Sequence, residues 1–113
     1  HLLSQLILAH IQHLNDVNYK VVIACQESFS RLLAGYSSKI LPYMDRVIPL
    51  LFMNLADGKE KVASSTNFLL SLISKVYEGD ELLVYLLKSL DYSNKPNYKV
   101  NTLEFMNVLI KRC

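Results

Sequence analysis

The sequence is poor in glycine, proline, cysteine and tryptophan. Its 113 residues include 3 Gly, 3 Pro, 2 Cys and 0 Trp. So few Gly and Pro, without any low-complexity tract, exclude a disordered or collagen-like chain. Leu and Ile are plentiful and strand-type alternation is scarce, which favours helices. A hydrophobic share of 51% is ample for one continuous core in a single domain.

An excess of charge of one sign is also lacking. The 12 basic and 10 acidic residues leave a net charge of +2, too balanced for a typical nucleic-acid or membrane-surface protein. Cys25 and Cys113 form neither a disulfide framework nor a metal-type pair, which favours a reducing, cytosolic setting. The most apolar region, residues 40–56, contains Asp45, Arg46 and Pro49, so we expect no transmembrane helix.

The signatures of catalysis and of cofactor binding are missing as well. The glycines are too far apart for a phosphate-binding loop, and His10 and His13 lack the spacing of a zinc-binding pair. The helical serines have no nucleophile-elbow glycines around them. We therefore expect no enzyme activity, no cofactor and no metal. Because the chain starts at His1 with neither an initiator Met nor a signal peptide, we expect a fragment of a longer protein.

An internal repeat is the strongest positive feature. Residues 18–21 and 97–100 share the sequence Asn-Tyr-Lys-Val, and Glu-Lys-Val occurs between them at residues 60–62. The valines of these motifs are 41 and 38 residues apart, close to the period of about 40 to 47 residues in HEAT and armadillo repeats. The chain is thus predicted to be a single domain of three HEAT-like repeats, at about residues 1–37, 38–78 and 79–113.

Hydrophobic periodicity predicts two antiparallel helices in each repeat, and therefore an all-α fold, an α-solenoid of three HEAT-like helix pairs. Apolar stripes mark each helix. The stripe of the second helix comprises Val21, Cys25, Phe29, Leu32 and Leu33, and that of the sixth comprises Val100, Leu103, Met106, Leu109 and Ile110.

The glycines and Pro49 are predicted to end, turn or bend the helices. Gly35 and Gly79 are predicted as left-handed C-caps just past the second helix of a pair, and Gly58 as a tight turn. Pro49 is predicted to kink the third helix. The first helix is apolar on more than one side, so we expect further repeats, a partner or a second copy to cover an end of the stack.

The turns within the helix pairs carry the candidate site. Lys20, Lys61 and Lys99 lie in or next to the first turn of the helix that follows. A cation at an exposed helix N-terminus costs roughly 0.3 to 1 kcal/mol, so its repetition indicates a binding role. With Tyr19 and Tyr98 beside them, these lysines suit an acidic protein partner. Lys59 and Lys95 supplement them, whereas in the alternative interpretation the lysines are simply neutralised by Asp16, Asp57, Glu60 and Asp91.

Residues 18–22, 41–42, 47–49 and 55–62 together resemble the TOG domains of CLIP-associating proteins and, less closely, the TOG arrays of the crescerin family. The remainder of the chain matches only the general HEAT pattern. TOG domains are flat paddles of HEAT repeats whose turns bind tubulin. The resemblance therefore implies a tubulin-binding module that regulates microtubule dynamics in the cytoplasm and cytoskeleton, with the cilium or axoneme as an alternative location.

The resemblance implies that tubulin binds at the positions that match the TOG turns: Tyr19, Lys20, Lys59, Lys61, Lys95, Tyr98 and Lys99. Two departures stand against it. The chain lacks the Trp that a tubulin-binding TOG domain usually carries in its first turn, and Val22, Ala63 and Asn101 replace the Arg that often follows the valine. The alternative function is a generic HEAT scaffold that binds another protein or self-associates through its apolar ends.

Overall fold

The computed structural model describes the backbone of residues 1–113 and every side chain apart from that of residue 57. Its elements are α-helices joined by short turns, with a short 3₁₀ helix between the second and the third. The predicted all-α helical repeat fold is confirmed. In chain order the elements are α1 (Leu2–His13), α2 (Tyr19–Ile40), the 3₁₀ helix (Leu41–Tyr43), α3 (Met44–Asp57), α4 (Glu60–Val76), α5 (Gly79–Ser89) and α6 (Pro96–Arg112).

Consecutive helices pack as pairs, α1 with α2, α3 with α4, and α5 with α6. The first pair stacks on the second mainly through α2 and α4. The third pair stacks on the second through α3, which contacts both α5 and α6. The central helix α3 is accordingly the most enclosed, and Met44, Val47, Ile48 and Leu51 in it are fully buried. None of the helices, over the residues described, combines the length and the apolar character needed to cross a membrane.

The second helices of the three pairs share one inward-facing pattern at spacings i, i+4, i+7 and i+11, which is the period of an α-helix. The first, second and fourth positions of the pattern are buried in all three helices. The third position is buried in α2 and α4 and half-buried in α6, where it is Phe105. The pattern comprises Val22, Gln26, Phe29 and Leu33 in α2, Val62, Thr66, Leu69 and Ile73 in α4, and Tyr98, Thr102, Phe105 and Leu109 in α6.

This register differs from the predicted one. Val62 is buried as expected, but Val21 and Val100 are exposed, and the inward positions belong to Val22 and Tyr98. The predicted stripe of α6 is also wrong in part, because Leu103 and Ile110 face outward. The Lys-Val motif therefore does not mark equivalent positions in the three pairs.

The predicted left-handed glycine caps are wrong, since neither Gly35 nor Gly79 has a positive φ. Gly35 directly precedes Tyr36, where a non-helical backbone separates the first part of α2 from the part that continues to Ile40. Gly79 is the first residue of α5, whose N-terminus is closed by a capping box between Glu78 and Glu81. Gly58 does follow α3 and forms the tight turn that the sequence predicts.

The second helix is bent at Tyr36, whose φ of −137° and ψ of 36° interrupt the helical backbone. Beyond this bend, the Tyr77 hydroxyl donates a 2.7 Å hydrogen bond to the carbonyl oxygen of Ser37. That bond ties the end of the first pair to the end of α4. α3 runs from Met44 to Asp57 with the buried Pro49 inside it, and the predicted kink at this proline stays a prediction.

Candidate protein-interaction edge

The turns that join the helices of each pair lie at residues 14–18, 58–59 and 90–95. We call these turns, with the first turns of α2, α4 and α6, the turn edge. The last part of α3, just before the second turn, is tied to the first turn, because the buried Asn54 side chain donates a 2.9 Å hydrogen bond to the carbonyl oxygen of Leu14. The first turn of α6 approaches the same region of α3, where Tyr98 meets Phe52 with ring centroids 6.2 Å apart.

The first turn is fixed by its own side chains. The Asp16 carboxylate accepts the backbone N–H of Asn18 at 2.9 Å and contacts the His13 ring at 3.2 Å, and these bonds lower its pKa. The Asn18 side chain caps α2 by accepting the backbone N–H of Lys20 at 2.9 Å. Between them Val17 is fully exposed at the tip of the turn. The local sequence thus builds a rigid projection next to Tyr19.

The second turn reaches the first through a cation–π contact. The Lys59 ammonium lies 4.5 Å from the centroid of the Tyr19 ring, close enough for the attraction between a cation and an aromatic face. Lys20 and Lys61 line one shallow groove between α2 and α4, together with Tyr19 and Glu27. The structure therefore brings together four of the predicted residues, Tyr19, Lys20, Lys59 and Lys61, across two turns.

Tyr98 does not belong to this exposed surface. Its side chain is 0% exposed, its hydroxyl donates a 2.6 Å hydrogen bond to the carbonyl oxygen of Ser89, and its ring packs on Phe52 and Tyr92. Burial raises the pKa of its hydroxyl to about 12. The expectation that Tyr98 flanks a lysine on an open edge is wrong, because Tyr98 occupies the inward position that Val22 and Val62 occupy in the other pairs.

Lys99 is engaged within the third pair. Its ammonium lies 2.9 Å from the Asp91 carboxylate and donates to the carbonyl oxygen of Leu90 at 3.2 Å, at the C-terminal end of α5. A cation at that end offsets the partial negative charge of the helix dipole. At the third turn the neutralising interpretation therefore holds. Lys95 is exposed at the N-terminus of α6, and its backbone N–H donates to the Ser93 hydroxyl at 3.2 Å.

The acidic residues that could neutralise the lysines of the turn edge differ in their contacts. Asp91 pairs with Lys99, whereas Asp16 is bonded to His13 and Asn18. Glu60 is exposed in the first turn of α4. The Asp57 side chain lies outside the described residues. Neutralisation of the lysines is thus established at the third turn.

Two exposed apolar residues of the turn edge were missed from the sequence. Val17 projects from the first turn, and Tyr92 is the exposed aromatic of the third turn, with its ring 6.1 Å from that of Tyr98. The sequence offers no signal that separates Tyr92 from Tyr98. Only the register of α6, which turns Tyr98 inward, distinguishes them.

The sequence is similar to part of a CLIP-associated protein from Arabidopsis thaliana. The two are 36% identical over 95 residues, which are 84% of this chain and 7% of that protein. The chain therefore spans only a small fraction of its relative's length, and the similarity points to a family related to the CLIP-associated proteins. No model of a known protein family matches the chain, and no solved structure matches it significantly.

Proposed function

We propose that this chain is a non-enzymatic, TOG-like HEAT module that binds tubulin and contributes to the regulation of microtubules. The observation that carries the proposal is the contact between the first and second turns, where Lys59 lies over the Tyr19 ring and Lys20 and Lys61 line one groove with Tyr19. Its residues 1–37, 38–78 and 79–113 act as three repeats of one domain. A microtubule role also fits the similarity to a CLIP-associated protein and implies a place in the cytoplasm, at the cytoskeleton.

Charge and geometry support an acidic partner at this surface. Three lysines on two adjacent turns present ammonium groups to an acidic partner, and Asp16 and Glu60 lie in the same turns. Asp16, Asn18 and Asn54 fix the turns through hydrogen bonds, so little ordering entropy is lost when a partner binds. Tyr19 supplies the rigid aromatic contact typical of interface hot spots.

The third turn contributes less in this proposal than the resemblance implies. Tyr98 is buried and Lys99 is already paired, so an acidic partner would compete with Asp91 for that ammonium. We therefore place the contact on Tyr19, Lys20, Lys59 and Lys61. Lys95 and Tyr92 lie at its margin.

Gel filtration with purified tubulin tests the proposal. The wild-type chain should co-elute with tubulin, and the double variant Lys20→Glu, Lys61→Glu should elute separately, because both reversals face the acidic partner. Lys99 is left unchanged, since a glutamate there would face Asp91 and disturb folding.

The matched control is Lys75→Glu with Lys111→Glu, which changes the net charge equally in the last turns of α4 and α6. This control should co-elute with tubulin like the wild type. Circular dichroism verifies that each variant is folded. A wild type that does not co-elute, or two double variants that behave alike, contradicts the proposal.

A second candidate function is self-association or scaffolding without tubulin, and the apolar outer face of the third pair favours it. Val84 and Leu87 on α5 and Leu103 and Ile110 on α6 are each at least half-exposed. Such a patch commonly marks an interface. Sedimentation velocity over a range of concentrations should then show dimers that Leu103→Lys abolishes, whereas a strictly monomeric wild type excludes this candidate.

A further inference from the structure

The stacking of the second helices is uneven. α2 and α4 pack closely and share a buried hydrogen bond of 2.8 Å from the Gln26 amide to the Thr66 hydroxyl. α6 packs instead on α3 and α5, and Phe105 of α6 lies against Phe52 of α3 with ring centroids 5.8 Å apart. This placement opens a groove between α4 and α6, away from the turn edge.

The groove has an apolar floor and a polar rim. Leu55, Leu70 and Phe105 contribute to the floor, and Asn67, Asn101 and Glu104 to the rim. Its volume is about 310 Å³. Along α6 it runs from Asn101 to Arg112, about 16 Å at 1.5 Å per residue, or three helical turns. A row of apolar side chains spaced i, i+4, i+7 on one helix spans about 10.5 Å at 1.5 Å per residue and fits within this length.

The charges along the groove give the occupant a direction. Glu104 lies toward the Asn101 end, and the Arg112 guanidinium closes the opposite end by donating to the carbonyl oxygen of Ser74 at 2.6 Å. Lys75 and Lys111 add positive charge at that same end, where Glu78 and Asp80 also lie and leave a smaller positive excess. An acidic first turn of a bound helix would therefore lie at Arg112, and a cation about eight residues later would reach Glu104.

From this complementarity we infer that the α4–α6 groove is a docking site for an amphipathic helix of a partner protein, lying antiparallel to α4 and α6. The helix carries an acidic first turn, apolar residues at i, i+4 and i+7, and a basic residue about eight positions after the acid. Its dipole then opposes those of α4 and α6, which is the favourable arrangement. The inference does not depend on tubulin binding, because the groove and the turn edge use different residues.

The probe is a fluorescein-labelled synthetic peptide of about 18 residues with this pattern, long enough to cover the groove at 1.5 Å per residue. Its binding is measured by fluorescence anisotropy. Val108 lines the groove and is 48% exposed, and Val100 is 50% exposed on the same helix away from the groove. Val108→Lys and Val100→Lys are therefore matched variants with equal chemistry and equal exposure.

The wild type should bind the peptide saturably, Val108→Lys should weaken binding roughly tenfold or more, and Val100→Lys should change it less than about twofold. Glu104→Lys should weaken binding to the original peptide and recover it with a peptide whose basic residue is replaced by glutamate. A peptide of the same composition interrupted by proline should bind roughly tenfold more weakly.

Any one of four results overturns the inference. They are absence of saturable binding to the wild type, equal weakening by the two valine variants, failure of the charge-swapped peptide to restore binding to Glu104→Lys, and undiminished binding of the proline-interrupted peptide. Circular dichroism of each variant ensures that lost binding is not lost folding.

Discussion

Tyr98 provides a quantitative test of the register described for α6. In Tyr98→Phe the ring contacts with Phe52 and Tyr92 remain and only the hydroxyl is lost. The carbonyl oxygen of Ser89 still accepts the backbone N–H of Tyr92 at 3.1 Å, so no acceptor is orphaned. The cost should be about 1 kcal/mol, the usual net value of one hydrogen bond. That corresponds to a fall in melting temperature of about 3 to 5 °C for a chain of this size.

Tyr98→Ala should cost far more, because it removes a fully buried ring and leaves a cavity next to Phe52. Aromatic-to-alanine changes in cores cost about 3 to 5 kcal/mol. That is a large share of the roughly 5 to 15 kcal/mol that stabilises a typical domain.

Urea unfolding followed by circular dichroism at the helical band measures both variants, and the slope with urea shows whether the transition stays two-state. If Tyr98→Ala unfolds with a free energy within about 1 kcal/mol of the wild type, Tyr98 is not a core residue. The exposed-edge position that the sequence favoured would then be restored.

Three further outcomes are expected. Gly58→Ala should destabilise the protein by about 1 to 3 kcal/mol in urea unfolding, because a Cβ there overlaps the backbone carbonyl of Asn54 and the turn must shift; unchanged stability would contradict this turn geometry. The Cys25 thiol, whose pKa burial raises to about 11, should react with a thiol reagent only after unfolding in urea, whereas the exposed Cys113 should react at once; two fast thiols would show that Cys25 is accessible. The pKa of Tyr98 is raised from 10.0 to about 12, so its contribution to stability is complete below pH 10 and is lost as the pH rises through 12. In alkaline melts the stability of the wild type should therefore fall more steeply above pH 10 than that of Tyr98→Phe, and parallel curves would refute the shift.

Much of the fold follows from the sequence because apolar periodicity decides helix positions. The stripes Phe29–Leu33 and Leu69–Ile73 face inward as predicted, since each is flanked by polar residues on the opposite side. In α6 apolar residues occupy two faces, and the pattern alone does not say which face is covered. Burial of Tyr98 and Thr102, whose hydroxyls are satisfied by backbone carbonyls, decides it.

The positions of the candidate residues follow from local sequence at the first two turns, and their role in binding stays a prediction. Lys20, Lys59 and Lys61 follow short turns whose caps and glycine are visible in the sequence. The contacts of Lys99 with Asp91 and Leu90 depend on the third turn, residues 90–95, which brings the first turn of α6 back to the end of α5. The α4–α6 groove could not be predicted, because it arises from how α6 packs on α3 rather than from any segment of its own.

Site-specific photocrosslinking tests the central claim most directly. A photoreactive benzoylphenylalanine replaces Tyr19 on the turn edge or Tyr36, which is exposed at the bend near the opposite end of α2. Each protein is irradiated with tubulin. The account predicts a tubulin adduct from position 19 and little or none from position 36. Equal adducts from both positions, or an adduct from position 36 alone, would contradict a tubulin-binding edge at the first two turns.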